Sequence, residues 1–299
     1  MKIFIILLLN SFLFSKNNPY IVVLGIAQDG GAPHAGCIDI CCKDLWSNNS
    51  YEKVSSLGIV DPNSKKSWII DATPDFAEQY HILTQEHNTK LEGIFLTHAH
   101  MGHYSGLLQL GREVMGAKNI PVFCMPKMKK FLSINAPWNQ LIKFKNIILK
   151  ELINDIELKL SNQLFIEPFL VPHRDEFSET VGFKIMGTKN SVIFIPDIDK
   201  WNKWDQDIFK VIQHTSIAFI DGTFYSQNEI PHRDMSEIPH PFIIETMELL
   251  YSLKSIHKNK VHFIHLNHSN PAIKEKNAAS NIIKSKQFKI AREGQVFDL

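Results

Sequence analysis

The stretch LTHAHMGHYSG, Leu96 to Gly106, places three histidines within six positions: His98, His100 and His103. Neutral imidazole nitrogens bind zinc at about 2.0–2.1 Å, and a catalytic site commonly takes three protein ligands and keeps one position open for water. His98 and His100 follow the apolar run GIFLT, so strand alternation sends both rings to one side of the chain. His103 then opens a helical segment that can turn its ring back towards them. Gly102, just before it, has no side chain to offer. The spacing predicts a metal centre.

Further ligands should come from other strand ends. FLVPH closes on His173, SVIFIPD on Asp197 with Asp199 two residues on, SIAFID on Asp221, and VHFIH on His265 with His268 three residues later. Alone, each reads as a turn or capping residue. Together they repeat one pattern, an apolar strand delivering a His or Asp at its C-terminal end, which is where α/β folds gather ligands.

The elements that would position these residues are legible as apolar runs between turn signals. Residues 20–26, 67–73, 93–98, 120–125, 165–173, 181–186, 191–197, 216–223 and 261–266 read as strands. Residues 74–87, 103–116, 201–213, 241–257 and 272–284 read as helices; in 103–116 the apolar face is Leu107, Leu108, Leu110, Val114 and Met115, ending at Gly116. With no Pro/Gly/Ser linker, this predicts one α/β domain over residues 17–299. The tetrapeptide PHRD, at 172–175 and 231–234, reads as two similar loops.

Composition excludes some classes of partner. Thirty-two basic and 31 acidic residues leave a formal charge of +1, which gives no support to a nucleic-acid or acidic-membrane partner. A small-molecule substrate fits better. Lys2, the run IFIILLLNSFLF and Ser15 describe a signal peptide over residues 1–16, and hence export to the periplasm or beyond. The run is shorter than the ~20 residues a membrane span needs, so no span is expected after cleavage.

Two polar clusters remain. His34, Cys37, Cys41 and Cys42 form H-x2-C-x3-C-C, compatible with a structural zinc, a disulfide from Cys37 to Cys41 or Cys42, or free thiols. Cys124 reads as a small core residue. The loop PHRDMSEIPHP offers His232, Arg233, Asp234 and His240, either as a substrate-binding lid or as a solvated loop before a helix. There is no G-x-S-x-G elbow, Walker loop or dinucleotide fingerprint.

THAHMGH resembles the metal-binding motif T-H-x-H-x-D-H of the metallo-β-lactamase superfamily, and the order Asp71, motif, His173, Asp197, His265 is similar too. The resemblance implies an αββα sandwich with one or two metals at the sheet edge, usually zinc, sometimes iron or manganese. It implies a first site of His98, His100 and His173, a second of His103 and His265 with Asp197 bridging, and Asp71 supporting the ligand loop. LGIAQDGGAPHAGCIDICC, VPHRDEFSETVGF, FIPDIDKW, DGTFY, RDMSEIPHP and HFIHLNHSNP resemble the branch related to the B protein of pyrroloquinoline quinone (PQQ) biosynthesis. That branch also implies a structural zinc at the thiol cluster.

In most of the superfamily the position of Gly102 is an aspartate that ligates the second metal. Its absence leaves the first site intact and predicts a weak or differently built second one, holding His103, a histidine of the 265–268 turn and Asp197. Asp29, in AQDGG, and Asp199 are the candidate substitutes; Asp221 and His268 are further supporting or alternative ligands. The expected activity is hydrolysis of a small ester, lactone, amide or phosphodiester by metal-activated water, with Asp197 as general base. Two rivals use the same residues: a metal- and O2-dependent oxidative enzyme of PQQ-type cofactor biosynthesis, and a non-catalytic metal-binding protein. The fold name is not an activity, and β-lactam turnover is not expected.

Overall fold

The computed structural model describes residues 18–230 and 232–299, so the leader expected over residues 1–16 lies outside the described residues. The chain first lays down β1 (Tyr20–Gly25), β2 (Ser56–Asp61), β3 (Lys66–Ile70), β4 (Lys90–Phe95), β5 (Ile120–Cys124) and β6 (Ile147–Glu151). It then forms β7 (Leu158–Lys159), β8 (Phe165–Leu170), β9 (Val181–Met186), β10 (Ser191–Ile195), β11 (Ile217–Asp221), β12 (Val261–Ile264) and β13 (Lys289–Ile290). β14 (Val296–Asp298) returns to pair with β1, giving sheets ordered β14-β1-β2-β3-β4-β5-β6 and β13-β12-β11-β10-β9-β8-β7.

Burial on both faces explains the apolar runs. In β1, Ile21 and Val23 face the core between the sheets, whereas Val22 and Leu24 face a second core under the helices. The inter-sheet core includes Ile59, Trp68 and Phe95 from one side and Ile166, Phe183, Phe194 and Phe219 from the other. Phe76, Leu83, Leu107, Met128 and Leu132 cover the outer face of the first sheet. Helices at Ile208–Gln213, Ile243–Leu249 and Ala278–Ser285 cover the second, bringing Ile212, Met247 and Ile283 into the core. This is the αββα sandwich. Among the described residues no helix is long and apolar enough to cross a membrane.

β3 to β6 pair in parallel, as do β10 to β13. Their C-terminal ends therefore share one edge. Asp71, His98, Asp197, Asp221 and His265 follow or close β3, β4, β10, β11 and β12 there.

One expectation needs correction, and several elements were not read. Residues 103–116 are not one helix: a single turn at Met101–Tyr104 tightens to 3-10 geometry over Ser105–Leu110. Leu107 and Leu110 are buried, but Leu108, Val114 and Met115 are exposed. The cause is Gly106, where a Cβ would stand 2.1 Å from Thr73 O, so the segment is pressed onto the loop after β3. β2 was hidden by Gly58, whose missing side chain makes room for Leu83 and Val22. The helices at Ile40–Ser47, Pro126–Ile134 and Trp138–Lys143 also carry too little periodicity to read.

His262 on β12 is buried against the rings of Phe219 and Phe297. Burial, with Lys289 adding to it, pulls its pKa down to about 3. Below an unfolded pKa of about 6.5 the unfolded chain takes up a proton that the native state refuses, so this contribution is full above that pH and is lost as pH falls towards 3. His262→Leu should therefore flatten the acid side of the stability profile. Urea unfolding near pH 7.5 and about pH 4.5 should show wild type losing about 2–3 kcal/mol more than the variant.

Candidate metal centre

Two carboxylates at strand ends organise the site. Asp71, in the left-handed region (φ 67°) and fully buried, accepts bonds from Thr97 N (2.8 Å), Thr97 Oγ1 and His103 Nδ1 (2.7 Å). His98 Nδ1 in turn donates to Thr97 Oγ1 at 3.0 Å. Asp221 accepts from Thr223 N, Thr223 Oγ1 (2.7 Å), Ile198 N and His240 Nδ1 (2.8 Å), and His265 Nδ1 donates to Thr223 Oγ1 at 3.0 Å. His265 is also left-handed (φ 63°). Each relay occupies one ring nitrogen and leaves the Nε2 lone pair facing inward, as a metal-ligating histidine requires.

Those lone pairs meet at Asp197. Its carboxylate lies 3.4 Å from His98 Nε2, 3.0 Å from His103 Nε2, 3.3 Å from His265 Nε2 and 3.9 Å from His173 Nε2. His98 Nε2 is 2.9 Å from His100 Nδ1, and His173 Nδ1 faces Asp199 Oδ1 at 3.4 Å. Ligand atoms of His98, His100, His173 and Asp197 all lie within 4.8 Å of one another, as do those of Asp29, His103 and His265.

The fit to cations rests on orphaned polar atoms. His103 Nε2, His173 Nε2, His265 Nε2, Asp29 Oδ1 and Asp197 Oδ2 are buried without a hydrogen-bond partner. Groups so placed are costly unless something else satisfies them. Electrostatics agrees. Burial, partly offset by Asp197, holds His98, His100 and His265 below the usual histidine range, so they are neutral. Against burial, the surrounding imidazoles, His265 first, hold Asp197 well below the carboxylate range. His103 is raised despite burial because Asp71, Asp197 and Asp29 surround it. His98, His100 and His265 beside an ionised Asp197 are thus in the protonation state that a divalent ion needs, whereas His103 would have to give up a proton to ligate one.

The structure decides several alternatives. His265 joins the centre, and His268 goes elsewhere: its Nδ1 lies 3.6 Å from Cys41 Sγ and 3.4 Å from Cys42 Sγ. His268, not His34, completes the group with Cys37, Cys41 and Cys42, because His34 stacks flat on His268 at 4.6 Å and turns Nδ1 to Ala35 O. That 227-residue separation between Cys41 and His268 was invisible to local spacing. All four cysteines are free, with Cys37 and Cys41 sulfurs 3.6 Å apart. Burial and the neighbouring thiols push Cys41 up to about 12.

Asp199 serves His173 and Lys203 (2.9 Å), and with the His173 contact first its pKa falls to about 2. Asp221 bonds to His240 Nδ1 and, through Thr223, to His265. Of the four loop candidates, His240 is buried, 3.4 Å from Asp197 Oδ1, whereas His232, Arg233 and Asp234 are exposed. Glu176 was missed: it faces His100 Nε2 at 3.4 Å from a half-exposed loop.

Two seven-stranded sheets flanked by helices, with histidines and aspartates converging at one edge, define the class of fold. The family described as the beta-lactamase superfamily domain matches residues 67–266, and the chain belongs to the metallo-β-lactamase superfamily. Within it, the chain is similar to the Coenzyme PQQ synthesis protein B of Methylorubrum extorquens, 22% identical over 306 residues, covering 94% of this chain and 100% of that protein. The crystal structure of zinc-bound PqqB from Methylobacterium extorquens superposes with a TM-score of 0.78 at 19% identity, covering 94% of this chain and all of that one. A diphosphatase of the PhnP family superposes at 0.63 with 17% identity, over 94% of this chain and 97% of its own.

Proposed function

We propose that this protein is a metal-dependent hydrolase acting on a small molecule with an ester, lactone, amide or phosphodiester bond. One observation carries the reading: a single buried carboxylate, Asp197, faces two sets of imidazoles at once. His98, His100 and His173 would hold one ion; His103 and His265 would hold a second, with Asp197 between them. When bound, such ions act as Lewis acids on a carbonyl or phosphoryl oxygen and make water acidic near neutrality.

The chain's own residues supply the rest. Asp71 and Asp221 fix the tautomers of His103 and, through Thr223, His265. Asp221 accepts from His240 Nδ1 and, against burial, raises the pKa of that ring, so as an imidazolium it can keep its Nδ1 proton and hand the one on Nε2 to a leaving group. The burial of these residues keeps bulk water from competing for their hydrogen bonds.

The test is turnover across a panel of esters, lactones, amides and phosphodiesters before and after chelation. Expected is activity lost with the ions and restored by zinc or manganese. Ion-replete protein inert on the whole panel would leave the non-catalytic, metal-binding reading. The relatives' name supports a second reading, a step in the synthesis of a PQQ-like coenzyme; if that step is oxidative, O2 uptake with iron in place of zinc marks it.

The thiol group at Cys37, Cys41, Cys42 and His268 fits a structural zinc, because its four ligand atoms all lie within 4.8 Å of one another and thiols become thiolates on a cation. Cys42→Ser should remove one ion per chain and lower the melting temperature by several degrees; unchanged zinc content would reject this site. Export through residues 1–16 belongs to the same reading, and N-terminal sequencing of protein recovered outside the cytoplasm checks it.

A further inference from the structure

The second half of the centre, as just described, is one charge short. His103 and His265 share Asp197 with the first half, and Gly102 stands where the superfamily motif has an aspartate. The space is nevertheless filled. A Cβ built on Gly102 would lie 2.2 Å from Asp29 Oδ1 and 2.4 Å from Asp29 Cα, so the Asp29 carboxylate occupies the volume that a side chain at 102 would claim. Asp29 Oδ1 is 3.2 Å from His103 Nε2 and is buried without a hydrogen bond, as is Nε2 of both His103 and His265.

The loop that carries Asp29 is built to hold it there. Gln28 N donates to Leu266 O (2.9 Å) and Leu266 N to Ile26 O (2.7 Å), so the loop is stitched to the residue after His265. Gly31, at φ 69°, closes the turn through its N–H to Gln28 O. Beyond it the same loop runs into the thiol group that meets His268. Asp29 and His265 are thus delivered as one unit by two distant parts of the chain.

The geometry points to Asp29 as a ligand of the second cation, completing a site with His103, His265 and one oxygen of Asp197. The acidic ligand has moved from the start of the His103 helix to the N-terminal loop, and Gly102 is the condition for it. Asp at 29 and Asp at 102 are mutually exclusive, since one sits in the other's place. This inference rests on the reading that His98, His100 and His173 hold a first ion.

Cobalt(II) titration of the metal-stripped full chain tests it, because thiolate charge-transfer bands report the Cys41/Cys42 group separately from nitrogen- and oxygen-ligated ions. Wild type should take up two equivalents of the latter kind. Asp29→Asn, nearly isosteric but uncharged, should keep the first and weaken the second by about tenfold or more. Gly102→Asp alone should lower the melting temperature and lose the second equivalent through the clash with Asp29. The exchange Asp29→Gly/Gly102→Asp should regain it. Two equivalents bound by Asp29→Asn with wild-type affinity, or a single equivalent in wild type, would overturn the assignment. If the exchange variant does not fold, the Asp29→Asn titration decides alone. Loss of every nitrogen- and oxygen-ligated equivalent, wild type included, would instead reject the first ion and the hydrolase reading with it.

Discussion

Asp197→Asn should empty both halves of the centre together and lower turnover about a thousandfold or more, equivalent to about 4 kcal/mol of transition-state stabilisation. The carboxylate faces His98, His103 and His265 through one oxygen and His173 and His240 through the other. Asn keeps the volume but offers one neutral acceptor and turns an amide N–H towards the rest. No neighbouring carboxylate can replace it: Asp221 is committed to Thr223, Ile198 and His240, and Asp199 to His173 and Lys203. Metal analysis alongside kcat/KM checks this, with Asp199→Asn as the milder comparison, since it touches His173 alone among the ligands. Two ions retained in Asp197→Asn, with turnover within a fewfold of wild type, would remove Asp197 from the centre.

The second large effect is expected at Asp71, which is 26 residues before Thr97 and holds both Thr97 and His103. Its backbone is left-handed, a conformation Asn adopts as readily as Asp, so Asp71→Asn leaves the turn unstrained. The chemistry is what changes. Asp71 accepts from Thr97 N with one oxygen, from His103 Nδ1 with the other, and from Thr97 Oγ1 with both. An amide must present its NH2 to one of these donors. If it faces His103, the ring is driven to the tautomer that carries its proton on Nε2, the nitrogen facing Asp29 and Asp197, and ligation there is blocked. Breaking a buried charged arrangement of this kind costs about 3–5 kcal/mol. Urea unfolding should show that loss, and the second ion should leave before the first. Stability within about 1 kcal/mol of wild type would mean that the Thr97–Asp71–His103 relay does not hold the site together.

The readings that succeeded and failed do so for one reason. β9 and the ends of β4, β10, β11 and β12 were legible because a strand buried on both faces must be apolar along its length, and the polar residue that ends it is conspicuous. The 103–116 segment misled because its leucines have helical spacing, whereas Gly106 lets the chain press onto Thr73 and tighten. β2 was silent because Gly58 interrupts its run, and only the packed neighbours Val22 and Leu83 explain the glycine.

The same division runs through the site. The sequence by itself determined the class of fold and singled out His98, His100, His173 and Asp197, which the structure brings together, because they announce themselves at the ends of apolar runs. It also marked Gly102 as a departure. Only the tertiary structure decided what answers that departure and where His268 belongs. Those choices depend on contacts between the N-terminal loop and residues 265–268, more than two hundred positions away, which no local spacing encodes. Strand ends are written in local hydrophobicity; the pairing of Asp29 with Gly102, and of Cys41 with His268, exists only once the two sheets have closed on each other.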